Sequence, residues 1–297
     1  MQINRCYYNF LLQLKTKILS LHLKRLAVSV TFTQHKRQPE IPVKDLKNLP
    51  INYRVCYKFA PKEVDKDICE CNRIRRDHTD ITANDQSKWH ISTHTKQYKN
   101  TSDYGRLIND ALYVRLDIET KLEIIHKLLF NFWKISKPTL IISIIGNATS
   151  YSLSDRSESK FLNSIVNICI KTNVWMITNG LDIGIVQLVG QAVNKARLKN
   201  PDKVVAIGIC KWGSIKDREV LIKREKQNTN KKDQYTSKTS DVNNDENNIQ
   251  NGACDLEMKH THYLMLDDGT YRTFDTKDFR SRLCKHITTL EMGNTPR

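Results

Sequence analysis

The sequence has no apolar run long enough to cross a bilayer. A membrane-spanning helix needs roughly 20 consecutive apolar residues, whereas the longest apolar runs here cover only residues 140–145 and 204–210. Runs of that length predict buried strands. Glycine and proline are also scarce, with 10 and 7 residues in a chain of 297. This scarcity excludes collagen-like and low-complexity chains, and the length predicts about two domains' worth of folded protein.

Nucleic-acid-reading motifs are absent as well. The formal net charge of +16 alone would suggest a polyanionic partner. The excess is mostly N-terminal, since residues 1–100 hold 19 Lys and Arg against 9 Asp and Glu, and it is scattered along the chain. It is accompanied by no aromatic-glycine RNP run and no zinc-finger spacing of the usual kind. We therefore expect no nucleic-acid partner.

A cleavable signal peptide is also missing, so the eight cysteines do not indicate a disulfide framework. Cys169 and Cys210 lie inside apolar segments, which is typical of reduced thiols that pack as small hydrophobes in cytosolic proteins. Residues 1–50 form a basic N-terminal extension. Its apolar stretch at 7–12 leaves open a transit-like or interfacial helix, or an ordinary packing helix.

Composition divides the rest of the chain into an ordered core and less regular parts. Residues 51–110 are polar, contain several cysteines and lack periodicity, which predicts an irregular segment. Strand-like and helix-like patterns alternate over 111–222 and resume over 256–290. Between them, 223–255 is rich in Lys, Asn, Gln and Asp, and this composition predicts a disordered polar insertion.

The alternating patterns predict an α/β fold. Near-continuous apolar strands are expected at 112–116, 139–145, 174–178, 204–210 and 263–267, and amphipathic helices at 122–133, 157–171, 184–198 and 275–289. Strands that are apolar on both faces require cover on both faces. The pattern therefore predicts a parallel sheet with helices on both sides and right-handed crossovers.

Small residues follow three of these strands, at the edge where open parallel sheets bind ligands. Gly269 follows the strand at 263–267. Gly146 follows the strand at 139–145, and Gly180 and Gly184 lie between the next strand and its helix. Backbone N–H groups at such a helix start can face a phosphate. The spacing is not the dinucleotide fingerprint, and glycines at such turns are needed structurally about as often. Arg218, after the strand at 204–210, is a candidate partner for an anionic ligand or for a neighbouring carboxylate.

A possible metal site lies in the irregular segment. Cys56, Cys69, Cys71 and His78 supply the residue types of a tetrahedral zinc site. The Cys-x-Cys spacing is less usual than Cys-x-x-Cys, and a structural cluster of reduced cysteines is the alternative. A set of Cys254, His260 and His262 is a poorer candidate, because the two histidines would share one face of a strand.

Read together, these segments resemble the cytosolic N-terminal region of melastatin-type transient receptor potential (TRPM) cation channels. The resemblance covers about residues 51 to 287, in the family's order. In the core it rests on Tyr113, Val114, Arg115, Trp133, the Pro-Thr-Leu-Ile-Ile-Ser run of 138–143, Gly146, Ala148, the Trp-Met-Ile-Thr-Asn-Gly run of 175–180, the Val-Gly-Gln-Ala-Val run of 189–193, the Ala-Ile-Gly run of 206–208, Trp212, Gly213, Arg218, Glu219 and the His-Thr-His-Tyr-Leu-Met-Leu-Asp-Asp-Gly-Thr run of 260–270. Upstream it includes Cys56, Phe59, Pro61, Cys69, Cys71 and His78.

The resemblance implies the Rossmann-like SLOG fold, used in these channels as a regulatory module that forms homotetramers at the cytosolic face of the plasma membrane. Some members receive ADP-ribose-like nucleotides, and Gly146, Gly180, Gly184 and Arg218 would border such a site. The family commonly has Thr-Gly-Gly after the first two strands, where this sequence has Asn147 and Asn179. A side chain at these positions stands where backbone would approach phosphate.

The resemblance also implies a longer protein. In the family another strand and a glycine-rich loop follow the helix matched by 279–289, whereas residues 291–297 diverge, so we expect a fragment whose sheet is incomplete at its C-terminal end. Such a chain has no pore, and its only link to the membrane is through the missing C-terminal part. The alternatives are a stand-alone SLOG-like nucleotide-binding protein and a phosphoribohydrolase-like enzyme. The enzyme would need a Pro-Gly-Gly-x-Gly-Thr loop, which the sequence lacks, so we expect no enzymatic activity.

Overall fold

A computed structural model describes residue 46 and residues 48–81, 88–146, 153–200, 204–222 and 252–292. Most of the predicted N-terminal extension, residues 223–251 of the predicted insertion, Asn147 and residues 293–297 of the divergent tail lie outside the described residues. At the end of the predicted insertion, Cys254 is buried and pairs in an isolated bridge with Ile215.

The cysteine-bearing segment contains a small sheet of its own. Strands β1 (Asn52–Cys56) and β2 (Thr95–Lys99) pair in antiparallel register. The chain between them makes a 3₁₀ turn at Arg75–Asp77 and a short helix α1 (Ile91–His94). Periodicity did not predict β2, because four of its five residues are exposed and polar or aromatic.

The core is a six-stranded sheet in the order β3-β4-β8-β7-β6-β5. All neighbouring pairs are parallel except β3 with β4, which is antiparallel. This mostly parallel sheet confirms the predicted Rossmann-like α/β class. Its strands are β3 (Tyr104–Arg106), β4 (Leu112–Asp117), β5 (Leu140–Ser143), β6 (Val174–Thr178), β7 (Val204–Lys211) and β8 (His262–Asp267).

Helices follow four of these strands. They are α2 (Leu122–Lys127), which continues as a π-helical turn at Leu128–Phe132, α3 (Asp155–Lys171), α4 (Ile185–Lys199) and α5 (Phe279–Met292). Each lies where the apolar periodicity predicted a helix. The amphipathic pattern places Phe161, Ile165 and Cys169 on the buried stripe of α3.

Both faces of the sheet are covered. Trp175 and Ile177 of β6 pack in one apolar cluster with residues of α2 and α5, while the alternating neighbours Val174 and Met176 are equally buried on the other face. Helix α4 packs against α3 and contacts β7, and its Gly190 lies against the carboxylate of Glu257. Strands β5, β6 and β7 follow one another in one direction across the sheet, whereas the connection through α2 runs in the opposite direction. With right-handed crossovers, this reversal places α2 on the face opposite to α3 and α4.

Candidate functional site

The glycine loops meet at the carboxyl edge of β5 and β6. These strands are parallel neighbours, and the ladder extends beyond β5 through a hydrogen bond from Ile144 N–H to the carbonyl of Ile177 (2.8 Å). Gly146 and Gly180 therefore follow adjacent strand ends. A Cβ on Gly146 would lie 2.7 Å from Cγ2 of Ile185, at the start of α4. The structure thus brings Gly146, Gly180 and Gly184 to one edge of the sheet.

Two of these glycines have backbone conformations that other residues rarely adopt. Gly180 has φ +68°, and a Cβ there would lie 2.6 Å from Cα of Gly208 on β7. Gly184 has φ 51° and is the N-cap of α4, with no side chain capping the helix. The turn therefore requires glycine for sharp reversal and close approach to β7, which is a structural reason for its presence.

Asn179 occupies the space between the two loops. Its Oδ1 accepts a hydrogen bond from Leu181 N–H (3.0 Å), and its Nδ2 donates to the carbonyl of Gly146 (3.5 Å). The side chain thus engages one backbone donor of the turn, of the kind that a phosphate would otherwise engage. Binding of an anion at Leu181 N–H would first have to displace this amide.

Arg218 makes its described contacts elsewhere. It lies in a 3₁₀ turn (Arg218–Leu221), donates to the carbonyl of Ile215 (3.3 Å) and pairs with Glu219 (3.4 Å). Its guanidinium carbon is 4.2 Å from the ring centroid of Tyr271, in the loop after β8. None of these described contacts belongs to a glycine loop, so the arrangement is that of a structural pairing.

A series of buried hydrogen bonds holds the turn between β6 and α4. His260 lies between Glu257 and Thr178: Nδ1 is 2.8 Å from Oε2 of Glu257, and Nε2 is 2.8 Å from Oγ1 of Thr178. Thr178 in turn accepts from Gly180 N–H (2.8 Å). Burial would raise the pKa of Glu257, but hydrogen bonds from His260 and Lys259 outweigh it and lower that pKa. The three side chains are fully buried, so they hold the turn in place rather than offering a nucleophile to a substrate.

Sequence reasoning missed this chain of hydrogen bonds. Glu257 and His260 precede β8, whereas Thr178 ends β6 and is 82 positions from His260. No local pattern marks it, because Glu257 and His260 lie in a polar stretch of sequence and only the fold buries them.

Charged side chains gather at the carboxyl ends of β7 and β8. Lys211, at the end of β7, pairs with Asp268 and donates to Oγ1 of Thr270 (3.0 Å) and of Thr273 (2.9 Å). Lys211 and Asp268 are both buried. Since protein partners surround the ammonium of Lys211, this side chain links the end of β7 to the loop after β8.

The predicted metal ligands converge. The Sγ atoms of Cys56, Cys69 and Cys71 and a ring nitrogen of His78 all lie within 4.8 Å of one another, and all four side chains are buried. None of the three cysteines forms a disulfide. Hydrogen bonds with Cys56 and Cys71 hold the pKa of the Cys69 thiol well below its ordinary value, while hydrogen bonds with Cys56 and Cys69 raise that of Cys71. By contrast, His260 is engaged by Glu257 and Thr178, so it does not join Cys254 and His262 in a metal set.

The fold and these loops agree with what comparison of the sequence shows. A family model described as SLOG in TRPM matches residues 111–295, which is more than half of the chain. The chain belongs to this TRPM SLOG family. The match spans the whole parallel sheet from β4 to β8 together with α5, and the cysteine-bearing segment lies outside it.

Individual TRPM proteins match a larger part of the chain. Transient receptor potential cation channel subfamily M member 1 of Mus musculus is 26% identical over 265 residues, which cover 82% of this chain. Subfamily M member 2 of Rattus norvegicus is 28% identical over 236 residues (75% of this chain), and member 7 of the same species is 28% identical over 229 residues (68%). These matches support the assignment of the chain to an N-terminal TRPM region.

The chain corresponds to a small share of those channel proteins. The matched residues make up 15%, 15% and 11% of the three relatives. Within the residues that the structure describes, no helix is both long and apolar enough to cross a membrane.

Proposed function

We propose that this chain is the regulatory and subunit-assembly region at the cytosolic N-terminus of a TRPM-type, calcium-permeable cation channel. The family match over residues 111–295 carries the proposal, because it covers the whole parallel sheet and the relatives that share it are cation-channel subunits. In this proposal the chain contains no pore, lies at the cytosolic face of the plasma membrane and reaches the membrane only through further sequence.

The proposed partners are other subunits of a homotetramer. The charge distribution supports a protein partner rather than nucleic acid, since the basic excess of the sequence is scattered. No catalytic role is proposed. The buried position of Thr178, His260 and Glu257 supports this, because a group that acts on a substrate has to reach it.

We propose that the edge of the sheet formed by Gly146, Gly180 and Gly184, here called the glycine edge, binds an ADP-ribose-like nucleotide, and that Asn179 weakens this binding. The uncapped start of α4 after Gly184 favours an anion. The hydrogen bond between Asn179 and Leu181 N–H opposes one, because the donor is already used.

Sequencing of the transcript beyond codon 297 tests the channel proposal. We expect the reading frame to continue into several apolar segments, each of roughly 20 residues and so long enough to span a membrane. A stop codon directly after codon 297 in an abundant transcript would favour a stand-alone SLOG-like protein instead.

Assembly is tested on the protein encoded by that longer reading frame. After purification in detergent, its mass measured by light scattering should be that of a tetramer. A monomer would contradict subunit assembly and leave the channel proposal to the transcript result.

A further inference from the structure

We propose that Cys56, Cys69, Cys71 and His78 bind one structural zinc ion, which holds the cysteine-bearing segment in its fold. Three thiolates and one imidazole are a common ligand set of structural zinc sites. With Zn–S distances of about 2.3 Å and Zn–N distances of about 2.0 Å, tetrahedral geometry separates the ligand atoms by about 3.5–3.8 Å. The ligand atoms here all lie within 4.8 Å of one another, and Cys71 Sγ is 3.3 Å from His78 Nε2.

Each ligand is placed by local backbone structure. Cys56 is the last residue of β1 and pairs with Thr95 of β2. Cys69 and Cys71 lie on a tight turn that contains Asn72 at φ 67°, whose N–H donates to the carbonyl of Cys69 (2.8 Å). His78 ends the 3₁₀ turn at Arg75–Asp77. The site is therefore assembled from separate short pieces of chain, which a metal can join.

The surroundings of the ligands suit a metal site. The Nδ1 atom of His78 lies 3.1 Å from the carbonyl of Ile74. When Nδ1–H donates to that carbonyl, the lone pair of Nε2 faces the thiols, which is the usual orientation of a zinc-bound histidine. Two sulfurs also accept N–H hydrogen bonds, Cys69 from Ala60 N–H (3.3 Å) and Cys56 from Trp89 Nε1–H (3.4 Å). Such donors stabilise thiolate ligands.

The separate apolar cluster of this segment is small, although Ile51, Ile91 and Tyr104 of the same segment pack into the main core. The buried residues of this cluster are the three cysteines with Phe59 and Ala60, and Trp89 packs beside it. So few apolar groups offset little of the conformational entropy lost on folding, and small irregular segments of this kind usually depend on disulfides or metals. The cysteines are not paired in disulfides, and a metal bound by all four ligands would supply a cross-link.

The same segment is attached to the main sheet. The carbonyl of Cys71 accepts a hydrogen bond from Tyr271 N–H (2.8 Å), and Asn72 Nδ2 donates to the carbonyl of Tyr271 (2.6 Å). Gly269, in the same loop after β8, is so close to β1 that a Cβ on it would lie 3.1 Å from Cys56 N. Metal loss should therefore loosen the loop at 268–273 as well as the cysteine-bearing segment. Four buried protein ligands leave no open coordination position, so the site is structural rather than catalytic.

Metal content of the purified chain tests the proposal. The chain is refolded from denaturant under reducing conditions with zinc, without a polyhistidine tag, and dialysed before elemental analysis. We expect about one zinc ion per chain, and cobalt in place of zinc should give the visible absorption bands of tetrahedral thiolate coordination. Refolding with a chelator instead of zinc should lower the yield of soluble chain.

Variants separate this site from adventitious binding. Cys71→Ser should lower zinc affinity by more than about 10-fold, whereas Cys284→Ser, which changes a cysteine outside the cluster, should bind as the unmodified chain does. His78→Cys offers a fourth thiolate, so it should retain zinc and change the cobalt spectrum. This variant tests the site even if Cys71→Ser fails to fold.

Three outcomes would overturn the proposal. They are a chain that folds equally well with chelator and holds no zinc, equal zinc binding by Cys71→Ser and the unmodified chain, and a disulfide between two of the three clustered cysteines found by mass spectrometry after alkylation of chain purified from cells.

Discussion

Arg115 on β4 and Asp267 on the neighbouring strand β8 form a buried ion pair, with Nε of the guanidinium 2.7 Å from Oδ2 of the carboxylate. Nη1 of Arg115 also binds Asp103 (2.7 Å). The guanidinium carbon lies 4.1 Å from the ring centroid of Tyr53 and 4.6 Å from that of Trp212. Burial raises the pKa of Asp267, and the charge of Arg115 opposes this effect. One side chain thereby links β4, β8 and the segment that precedes β3.

Removal of this guanidinium should destabilise the fold strongly. Arg115→Ala leaves two buried carboxylates without their cation, and we expect the free energy of unfolding to fall by about 3–5 kcal/mol. Urea denaturation followed by circular dichroism measures the change. Arg282→Ala is the control, because Arg282 and Asp278 form an exposed pair within one helical turn, whose loss should cost less than about 1 kcal/mol. Equal losses in the two variants would show that the Arg115 network adds nothing.

The sequence predicted the main strands because their composition leaves little alternative. Strands such as Val174–Thr178 are continuous apolar runs, fully buried on both faces, and this pattern is typical of the interior of a parallel sheet. In contrast, β2 has no apolar alternation, since Thr95 alone of its residues is buried. Its pairing with β1 is set by tertiary contacts, among them the hydrogen bond from Gln97 to Asp117 (2.6 Å), and no local pattern shows these.

The candidate site was predictable only as far as backbone conformation determines it. Gly180 and Gly184 mark a turn with positive φ, and the turn is where the sequence placed it. The direction of the Arg218 side chain depends on Tyr271, more than 50 positions away. The partners of His260 are likewise set by the positions of β6 and β8 on either side of β7. Residue types are readable from a sequence, whereas such long-range neighbours are fixed by packing.

Gly180 should tolerate no side chain. In Gly180→Ala, a methyl group meets the backbone of Gly208 at 2.6 Å in a conformation with φ +68°, and we expect a loss of about 2–4 kcal/mol in the free energy of unfolding. Gly146→Ala is the matched control. Its methyl group would meet Cγ2 of the Ile185 side chain rather than backbone, and Gly146 has no positive φ, so the loss should be smaller than in Gly180→Ala. Thermal melts of both variants measure the difference, and a larger loss in Gly146→Ala would contradict the described turn.

Asn179→Gly should strengthen nucleotide binding if the glycine edge has the proposed ligand class. The substitution frees Leu181 N–H and clears the space beside Gly146, so a phosphate can approach the start of α4. We expect ADP-ribose affinity, measured by isothermal titration calorimetry, to rise by about 10-fold or more, the gain from one charge-assisted hydrogen bond.

The control for that measurement is Asn173→Gly, which makes the same substitution at the other end of β6. Asn173 lies just before Val174, on the side away from the glycine loops, so its loss should leave ADP-ribose affinity unchanged. Absence of binding by Asn179→Gly at millimolar ADP-ribose would remove this ligand class for the edge.

Mild acid should destabilise the chain through His262. Burial, with smaller contributions from Arg197 and Arg106, lowers the pKa of this imidazole from 6.5 to about 3. Its ring packs against Trp133, at 5.1 Å between centroids. Because the unfolded chain takes up the proton at about pH 6.5 and the folded chain does not, the stabilisation is complete above pH 6.5 and is lost as the pH falls towards 3. Glu257, whose pKa is lowered, adds to the loss only below its ordinary value of 4.5.

Urea denaturation between pH 7 and pH 5 leaves most carboxylates ionised, and variants separate His262 from the other histidines, of which His78 has a raised pKa and an opposite effect. Uptake of one proton on unfolding can lower the free energy of unfolding by at most about 1.4 kcal/mol per pH unit. The contribution of His262 should be smaller, because its side chain keeps some contact with water. His262→Gln cannot take up the proton and should flatten this dependence. His90→Gln, which changes an exposed imidazole, should leave the slope as it is. An unchanged slope in His262→Gln would mean that another group, and not His262, takes up the proton on unfolding.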